Sequence, residues 1–219
     1  MMFSYDDYPR VDKNGMRFYK VDEATLYPSI TTVLGITVSD EKKDRLEAWK
    51  QRLGEEKAKA FSKAAAARGT IIHKMAETYI QSKTIDGTGA SPIELKMFHS
   101  IKNELNKISG VYGLEVPLIS HLLKVAGTVD LVGVYDGKPA VIDYKTSYRE
   151  KGEAEIEDYF LQATFYALAH NEMHRTEIDK IVIILGVENK LPLIYRRDIT
   201  VELVGKLISR IEKFYETLP

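Results

Sequence analysis

The sequence contains no cysteine. Disulfides, thiolate metal sites and iron–sulfur clusters are therefore excluded as sources of stability or of chemistry. No apolar run is long enough to cross a bilayer, and the first residues lack the basic and then apolar layout of a secretory signal. We therefore expect a protein that works in the cytoplasm and binds no membrane.

An excess of positive charge is also missing. The 31 lysines and arginines are balanced by 32 aspartates and glutamates, so the formal net charge is −1. A nucleic acid would have to be held by local basic patches rather than by the overall field of the protein. One such patch runs from Glu41 to Lys63, but mixed charge of this kind is also typical of solvated helices.

No repeat and no Pro/Gly/Ser-rich linker divides the 219 residues. We therefore expect a single domain over 1–219, with a mainly helical part (1–110) followed by a catalytic core (111–219). Caps and hydrophobic periodicity predict the following elements. Helices are expected to begin near Ile30, where Ser29 can act as the cap, and to span 40–53, where Ser39-Asp40 can act as the cap. Further helices are expected at 55–81, 92–108, 153–171 and from Thr200 onwards, and Arg68-Gly69 is a candidate interruption of the helix over 55–81. Strands are expected in a hairpin over 11–19 and at 112–119, 124–135, 139–145, 180–187 and 192–198.

This order of elements predicts an α/β fold with a central mixed sheet flanked by helices. The N-terminal helices would form an arch or lid over one edge of the core.

The hairpin from Gly127 to Lys145 carries the most informative pattern. Two β-branched, apolar runs flank Asp136-Gly137, which is a strong signal for a two-residue turn. With that turn, residues whose numbers sum to 273 face each other, so Asp130 lies opposite Asp143. Lys145 then shares the face of Asp143, opposite Thr128.

Two directly opposed carboxylates repel each other. At about 5 Å and an effective dielectric of about 20, the repulsion is roughly 3 kcal/mol. A divalent cation bound by these oxygens would remove the repulsion, with Lys145 beside it. The alternative is a solvated face on which Lys145 forms a simple salt bridge. The apolar neighbours of both aspartates favour the metal site.

Two helical patterns support the hairpin. His73 and Glu77 lie one turn apart, so an imidazole could be oriented beside a carboxylate, although a half-buried histidine with a surface partner fits the same spacing. Tyr159, Gln162 and Tyr166 share another helix face. Packing accounts for the tyrosines, but an amide on an apolar face needs hydrogen-bond partners.

Together these pieces resemble a known family. The order is Arg-Gly-Thr-x-x-His from Arg68, Gly-Thr-Val-Asp from Gly127, Ile-Asp-Tyr-Lys-Thr-Ser from Ile142, and Gln-x-x-x-Tyr from Gln162. It resembles the PD-(D/E)XK nuclease superfamily in its RecB-type branch. The closer resemblance is to the mitochondrial genome maintenance exonucleases and their phage relatives, and it includes the segment from Pro28 to Leu53.

The resemblance implies a restriction-endonuclease-like core and roles for particular residues. Asp130, Asp143, the Tyr144 carbonyl and His73 would bind the catalytic metal, and Lys145 would position or activate the attacking water. Mg²⁺ suits oxygen ligands, and a histidine ligand would make Mn²⁺ an effective substitute. Substrate contacts are expected from Gln162, Tyr166, Arg68 and Ser147, and Glu77 and Glu115 are additional acidic candidates.

Three functions fit the sequence. The first is a metal-dependent DNA exonuclease that prefers single strands with free ends. The second is a structure-selective or site-specific endonuclease, and the third is a non-catalytic DNA-binding module. The absence of a Gly-x-x-x-x-Gly-Lys-Ser/Thr loop and of cysteine clusters favours a small stand-alone nuclease, which we expect to act as a monomer in a bacterial or phage-infected cell.

Overall fold

A five-stranded mixed sheet with helices on both faces forms the core of the protein, as the sequence predicts. The computed structural model describes residues 3–218. A small three-stranded sheet precedes this core. The helices are α1 (Ile30–Ile36), α2 (Asp40–Leu53), α3 (Glu55–Ser82), α4 (Pro92–Leu105), α5 (Glu157–His174) and α6 (Val201–Glu216). The strands are β1 (Arg10–Lys13), β2 (Met16–Lys20), β3 (Leu26–Pro28), β4 (Ile108–Ser120), β5 (Val125–Tyr135), β6 (Lys138–Ser147), β7 (Lys180–Val187) and β8 (Leu193–Asp198).

The central sheet has the order β4-β5-β6-β7-β8. Only β6 and β7 are parallel, and α5 forms the crossover between them. The predicted hairpin register is confirmed from Tyr135↔Lys138 to Leu131↔Ile142. Its turn has the two positive φ angles that a tight hairpin requires, 49° at Asp136 and 79° at Gly137.

The N-terminal hairpin is also confirmed, with positive φ at Asn14 and Gly15. A third strand, Leu26–Pro28, pairs with β2 and was not predicted. This small sheet contacts the central one, where Ser29, just after β3, forms an isolated bridge with Ala126 of β5. The segment before α1 thus forms a three-stranded sheet, of which the sequence predicted the first two strands.

Three predicted helix starts carry hydroxyl caps, two of which, at Ser29 and Ser39, were expected. The Ser29 hydroxyl accepts a hydrogen bond from the Thr32 amide, the Ser39 hydroxyl caps α2, and the Thr200 hydroxyl caps α6. These short polar side chains satisfy amides that no earlier carbonyl can reach. None of the helices over residues 3–218 is long and apolar enough to span a membrane.

Two predicted boundaries are wrong. Helix α3 continues through Arg68-Gly69 without a break. A single glycine costs about 1 kcal/mol in a helix, and the alanines on its N-terminal side offset that cost. Helix α4 ends at Leu105 rather than near 108, because the chain there turns to pair Ile108 with Tyr135.

Helices pack on the two faces of the sheet in separate groups. Helices α1, α5 and α6 cover one face, with fully buried residues such as Ile30, Phe160 and Phe214. Helices α3 and α4 cover the other face, where Ile72, Phe98 and Tyr144 are buried. The polar residues of the hairpin lie between these two hydrophobic cores.

Candidate active site

Asp130 and Asp143 lie just beyond the point at which β5 and β6 stop pairing. The last paired residues are Leu131 and Ile142. Beyond them the Asp130 carboxylate accepts a hydrogen bond from the Tyr144 amide at 2.8 Å, so a side chain takes the place of a backbone carbonyl. Lys145 therefore does not lie opposite Thr128 in a ladder, as the extended register predicted. Its Cα partner is Leu185 of β7.

Three elements bring potential metal ligands together at this point. Ligand atoms of His73 on α3, Glu115 on β4 and Asp130 on β5 all lie within 4.8 Å of one another. His73 Nδ1 is 3.4 Å from Asp130 Oδ1. Glu115 was only an additional candidate from the sequence, but the structure places it inside this cluster.

Glu115 has an unusual backbone conformation for a residue in a strand. Its φ is +51°, whereas Leu114 and Val116 on either side pair normally with β5. A left-handed conformation is unfavourable for a residue with a Cβ, and such positions often occur at functional sites. No feature of the local sequence indicates it, since neither neighbour is a turn residue.

The cluster shifts the pKa values of its members in ways that follow from burial and charge. Glu115 is exposed as a whole residue, but partial desolvation of its carboxyl raises its pKa and the charge of Asp130 adds to this effect, to about 7. Burial acts to lower the pKa of His73, but the Asp130 carboxylate outweighs it and the pKa rises to about 9. Burial acts to raise the pKa of Asp130, but the charge and the hydrogen bond of His73 outweigh it and hold the pKa below its ordinary value.

Asp143 and Lys145 form a buried ion pair beside this cluster. The Lys145 ammonium lies 2.6 Å from each oxygen of the fully buried Asp143 carboxylate. On its other side the ammonium lies 5.3 Å from the centre of the Tyr159 ring of α5. Burial raises the pKa of Asp143 to about 6, although Lys145 opposes this shift. Lys145 donates its hydrogen bond to Asp143 Oδ1, whereas Oδ2 is in ion-pair contact with the ammonium but accepts no well-oriented hydrogen bond from residues 3–218.

These side chains fit a divalent cation. Buried carboxylate oxygens normally accept well-oriented hydrogen bonds, whereas Asp143 Oδ2 has only the ion-pair contact with Lys145, so it keeps acceptor capacity for a cation. The donor set of Asp130, Glu115 and Asp143 is rich in oxygen, as Mg²⁺ requires, and His73 adds one imidazole nitrogen, which Mn²⁺ tolerates well.

The other predicted site residues lie around this centre with partners of their own. The Gln162 amide donates to the Tyr166 hydroxyl at 3.1 Å, which gives the half-buried amide one partner. Arg68 pairs with Glu188 at 3.4 Å, and Glu77 pairs with Lys74 at 2.7 Å.

Ser147 is buried at the end of β6. Its hydroxyl accepts a hydrogen bond from the Arg149 amide at 3.3 Å. Like Gln162, Arg68 and Glu77, it makes its polar contacts within the protein, so any role toward a substrate stays a prediction.

The predicted basic patch lies largely on α2, which has no buried residue. Lys42 forms an ion pair with Asp158 of α5, so its charge is partly used within the protein. Aromatic side chains connect α2 to the end of β6. The Trp49 and Phe61 rings are 5.8 Å apart, and the Phe61 and Tyr148 rings are 5.1 Å apart, centre to centre.

Sequence reasoning missed a second polar group next to the cluster. The Thr128 hydroxyl contacts Arg10 Nη2 at 2.7 Å and the Tyr19 hydroxyl at 2.9 Å. Arg10 and Tyr19 each lie more than 100 positions from Thr128 in the sequence and meet it only because the N-terminal sheet packs against β5. A cavity of about 470 Å³ lies elsewhere, between β8 and α6, and none of the predicted site residues lines it.

Comparison with known proteins agrees with this geometry. A family model for the PD-(D/E)XK nuclease superfamily matches residues 37–192. Mitochondrial genome maintenance exonuclease 1 from Homo sapiens is 30% identical over 148 residues, which cover 65% of this chain and 41% of the relative. The Mus musculus protein of the same name is 34% identical over 128 residues, covering 57% and 38%. The Xenopus tropicalis protein is 28% identical over 199 residues, covering 85% and 57%.

The chain thus spans between 38% and 57% of the length of these relatives. The matched residues 37–192 include His73, Glu115, Asp130, Asp143 and Lys145, which are the residues that the fold brings together. The matched segment, residues 37–192, makes up well over half of the sequence. The chain belongs to the PD-(D/E)XK nuclease superfamily.

Proposed function

We propose that this protein is a metal-dependent DNA exonuclease that hydrolyses phosphodiester bonds and prefers single-stranded DNA with free ends. The observation that carries the proposal is the convergence of His73, Glu115 and Asp130 within 4.8 Å, beside the buried Asp143–Lys145 pair. A binding module has no use for clustered carboxylates, because they repel the phosphates of its ligand.

His73, Glu115, Asp130 and Asp143 would hold the cation, with the Tyr144 carbonyl as a further oxygen ligand. A divalent cation supplies a water of lowered pKa and neutralises charge on the phosphoryl oxygens. Lys145 places a fixed positive charge next to the ligands, where it stabilises negative charge that develops on the phosphate. Asp143 keeps that ammonium in place through both of its oxygens.

The names of the relatives support the exonuclease part of the proposal. Three of them are called mitochondrial genome maintenance exonuclease, and the alignment with the Xenopus tropicalis protein covers 85% of this chain. A genome is DNA, and an exonuclease works from an end. Both properties are therefore proposed for this chain.

The surface of the protein supports a flexible, single-stranded substrate. With a net charge of −1, the protein has no overall positive field to attract the closely spaced phosphates of a rigid duplex. Aromatic side chains on which successive bases stack suit a single strand better. Trp49, Phe61 and Tyr148 form such a series, and Tyr148 lies three residues after Lys145.

The test is digestion of end-labelled linear single-stranded, linear duplex and covalently closed circular single-stranded DNA in Mg²⁺. We expect the linear single strand to be degraded from an end, the duplex to be cut more slowly, and the circle to survive. Equal cleavage of circles and linear strands would support an endonuclease instead. Binding without any cleavage in Mg²⁺ or Mn²⁺ would support the non-catalytic module.

The stacking series offers a separate test of strand preference. Trp49→Ala should weaken the binding of an oligothymidylate by roughly tenfold, since one lost base–aromatic stack costs about 1–3 kcal/mol. Leu46→Ala is the matched control, because Leu46 is also on α2 and is half exposed. Equal affinity of both variants would remove the support that these aromatic residues give to the single-strand preference.

A further inference from the structure

A cleft of about 390 Å³ opens beside the metal-ligand cluster. It lies between the N-terminal sheet and the β4–β5 pair. Tyr8, Arg10, Tyr19, Pro117 and Thr128 line it together with Glu115, which also belongs to the cluster. Glu115 thus belongs both to the lining of the cleft and to the proposed metal site.

The floor of the cleft is formed by β4 and β5, the same two strands that carry Glu115 and Asp130. Thr128 and Pro117 are cross-strand partners, each two residues along from Asp130 and Glu115. Because a strand rises by about 3.3 Å per residue, this pair lies roughly 7 Å from the ligands along the sheet. That separation is on the scale of one nucleotide in an extended strand.

Arg10 places a positive charge at this point. Its Nη2 donates to the Thr128 hydroxyl at 2.7 Å, and its guanidinium carbon lies 5.8 Å from the centre of the Tyr19 ring. Tyr19 also holds the Thr128 hydroxyl, at 2.9 Å. The guanidinium is therefore oriented by two contacts, although Arg10 as a residue is exposed.

The charge of Arg10 acts at a distance on the Glu115 carboxyl, where it opposes the rise in pKa, but no ion pair in the described part of the chain neutralises it. Over residues 3–218, no carboxylate lies within salt-bridge distance of it. A guanidinium has five N–H donors, and the hydroxyl contact uses one of them. An oriented arginine with free donors, at the edge of a groove, is suited to a phosphate oxygen.

We infer that Arg10 is a positioning residue, which binds the phosphate of the nucleotide next to the scissile phosphodiester while the Tyr8 and Tyr19 rings line the path of that nucleotide. The inference rests on the proposed function, because it takes DNA as the substrate. Asp7 also lines the cleft, and its negative charge would repel a phosphate bound there. Removing that charge therefore tests phosphate binding at the same site independently of Arg10.

The test compares Arg10→Gln, Arg10→Lys and Asp7→Asn in the full chain with the wild type. Hydrolysis of a linear oligothymidylate in Mg²⁺ gives KM and kcat. Binding of the same oligothymidylate in EDTA, measured by fluorescence anisotropy from low to high NaCl, gives Kd and its salt dependence. Arg17→Gln is the matched control, since Arg17 is an exposed arginine of the same small sheet that does not line the cleft.

For Arg10→Gln we expect KM and Kd to rise roughly three- to tenfold with kcat little changed. The slope of log Kd against log salt should fall by about 0.7, the value for one lost phosphate contact on a single strand. Arg10→Lys should keep the slope, Asp7→Asn should lower KM, and Arg17→Gln should match the wild type.

Wild-type KM and salt slope in folded Arg10→Gln would overturn the inference, as would a loss confined to kcat. If Arg10→Gln does not fold, an unchanged KM in Asp7→Asn overturns it and a lowered KM supports it. The proposed function fails separately. If the wild type does not hydrolyse DNA with Mg²⁺ or Mn²⁺, the binding measurements in EDTA still decide whether Arg10 contacts a phosphate.

Discussion

The main-chain amide of Tyr144 donates a hydrogen bond to Asp130 Oδ2 at 2.8 Å, directly after the β5–β6 ladder ends at Leu131 and Ile142. This bond fixes one oxygen of Asp130 and leaves the other facing His73 Nδ1 at 3.4 Å. The divergence of two strands thus creates room between them, and the side chain of Asp130 satisfies a backbone donor that the missing ladder would otherwise leave unpaired.

Lys145→Met should abolish hydrolysis while Mn²⁺ still binds. The substitution removes the charge next to the phosphate, so we expect a rate loss of at least about 100-fold. It also leaves Asp143 buried without its partner, which should destabilise the metal-free protein by about 3 kcal/mol or more. Activity assays and denaturant unfolding, each with and without Mn²⁺, measure both effects.

Lys151→Met is the matched control for Lys145. The Lys151 ammonium lies 5.1 Å from the centre of the same Tyr159 ring, but contacts no site carboxylate. This variant should retain most of its activity and stability. If the two lysine variants lost activity equally, the contact with Asp143 could not be the reason for the effect.

His73→Ala should raise the Mn²⁺ concentration that gives half-maximal activity, because one ligand of the cluster is lost. We expect a rise of about 10–100-fold, with partial recovery at high Mn²⁺. His99→Ala is the control, since His99 is exposed on α4. A lowered melting temperature with unchanged metal dependence would instead assign His73 a structural role.

The cluster makes the metal-free protein less stable as pH rises. The pKa of Glu115 is raised from 4.5 to about 7, so its folded state favours the protonated form and stability is lost between these values. The pKa of His73 is raised from 6.5 to about 9, so the stability from its pairing with Asp130 is complete below pH 6.5 and lost as pH rises through 9.

A cation replaces these protons, so its stabilising effect should grow with pH. Melting temperatures with EDTA or with Mn²⁺, measured between pH 5 and pH 9, test this. Glu115→Gln should flatten the lower part of the metal-free profile, and His73→Gln the upper part. Identical profiles for the wild type and both variants would contradict the assigned pKa shifts.

Gly127 of the Gly-Thr-Val-Asp motif should tolerate no side chain. A Cβ there would lie 2.7 Å from Tyr166 Cε1 and 3.1 Å from a methyl carbon of Ile30. Both neighbours belong to the core, so Gly127→Ala should cost about 1–3 kcal/mol in the free energy of unfolding. Gly205→Ala is the contrast, because Gly205 lies on the exposed face of α6 with nothing within 4 Å of an added Cβ, and it should stabilise by about 0.5–1 kcal/mol. Chemical denaturation of both variants measures the difference.

Local patterns in the sequence were sufficient to predict much of the fold. The caps at Ser29 and Ser39 and the Asp136-Gly137 turn depend on contacts within a few residues, and each was predicted correctly. The register of the hairpin followed from its turn as far as Leu131↔Ile142. Asp143 and Lys145 were correctly placed on one face for the same reason.

The features that sequence reasoning missed depend on contacts between distant segments. Helix α3 continues through Gly69 at a point where it packs closely on β6, and a Cβ there would lie 3.9 Å from Thr146 Oγ1. Glu115 enters the cluster through a left-handed backbone that no residue pattern indicates. Arg10 reaches Thr128 only after the two sheets have packed together.

The most direct test of the metal site is the rate at which EDTA-treated protein degrades an end-labelled linear single strand as Mg²⁺ is added back. We expect no product in EDTA, a saturable rise in rate with Mg²⁺ for the wild type, and no product at any Mg²⁺ concentration for Asp143→Asn or Asp130→Asn. Circular dichroism establishes that both variants are folded. Full hydrolysis in EDTA, or wild-type rates in both folded variants, would contradict a metal-dependent mechanism at this site.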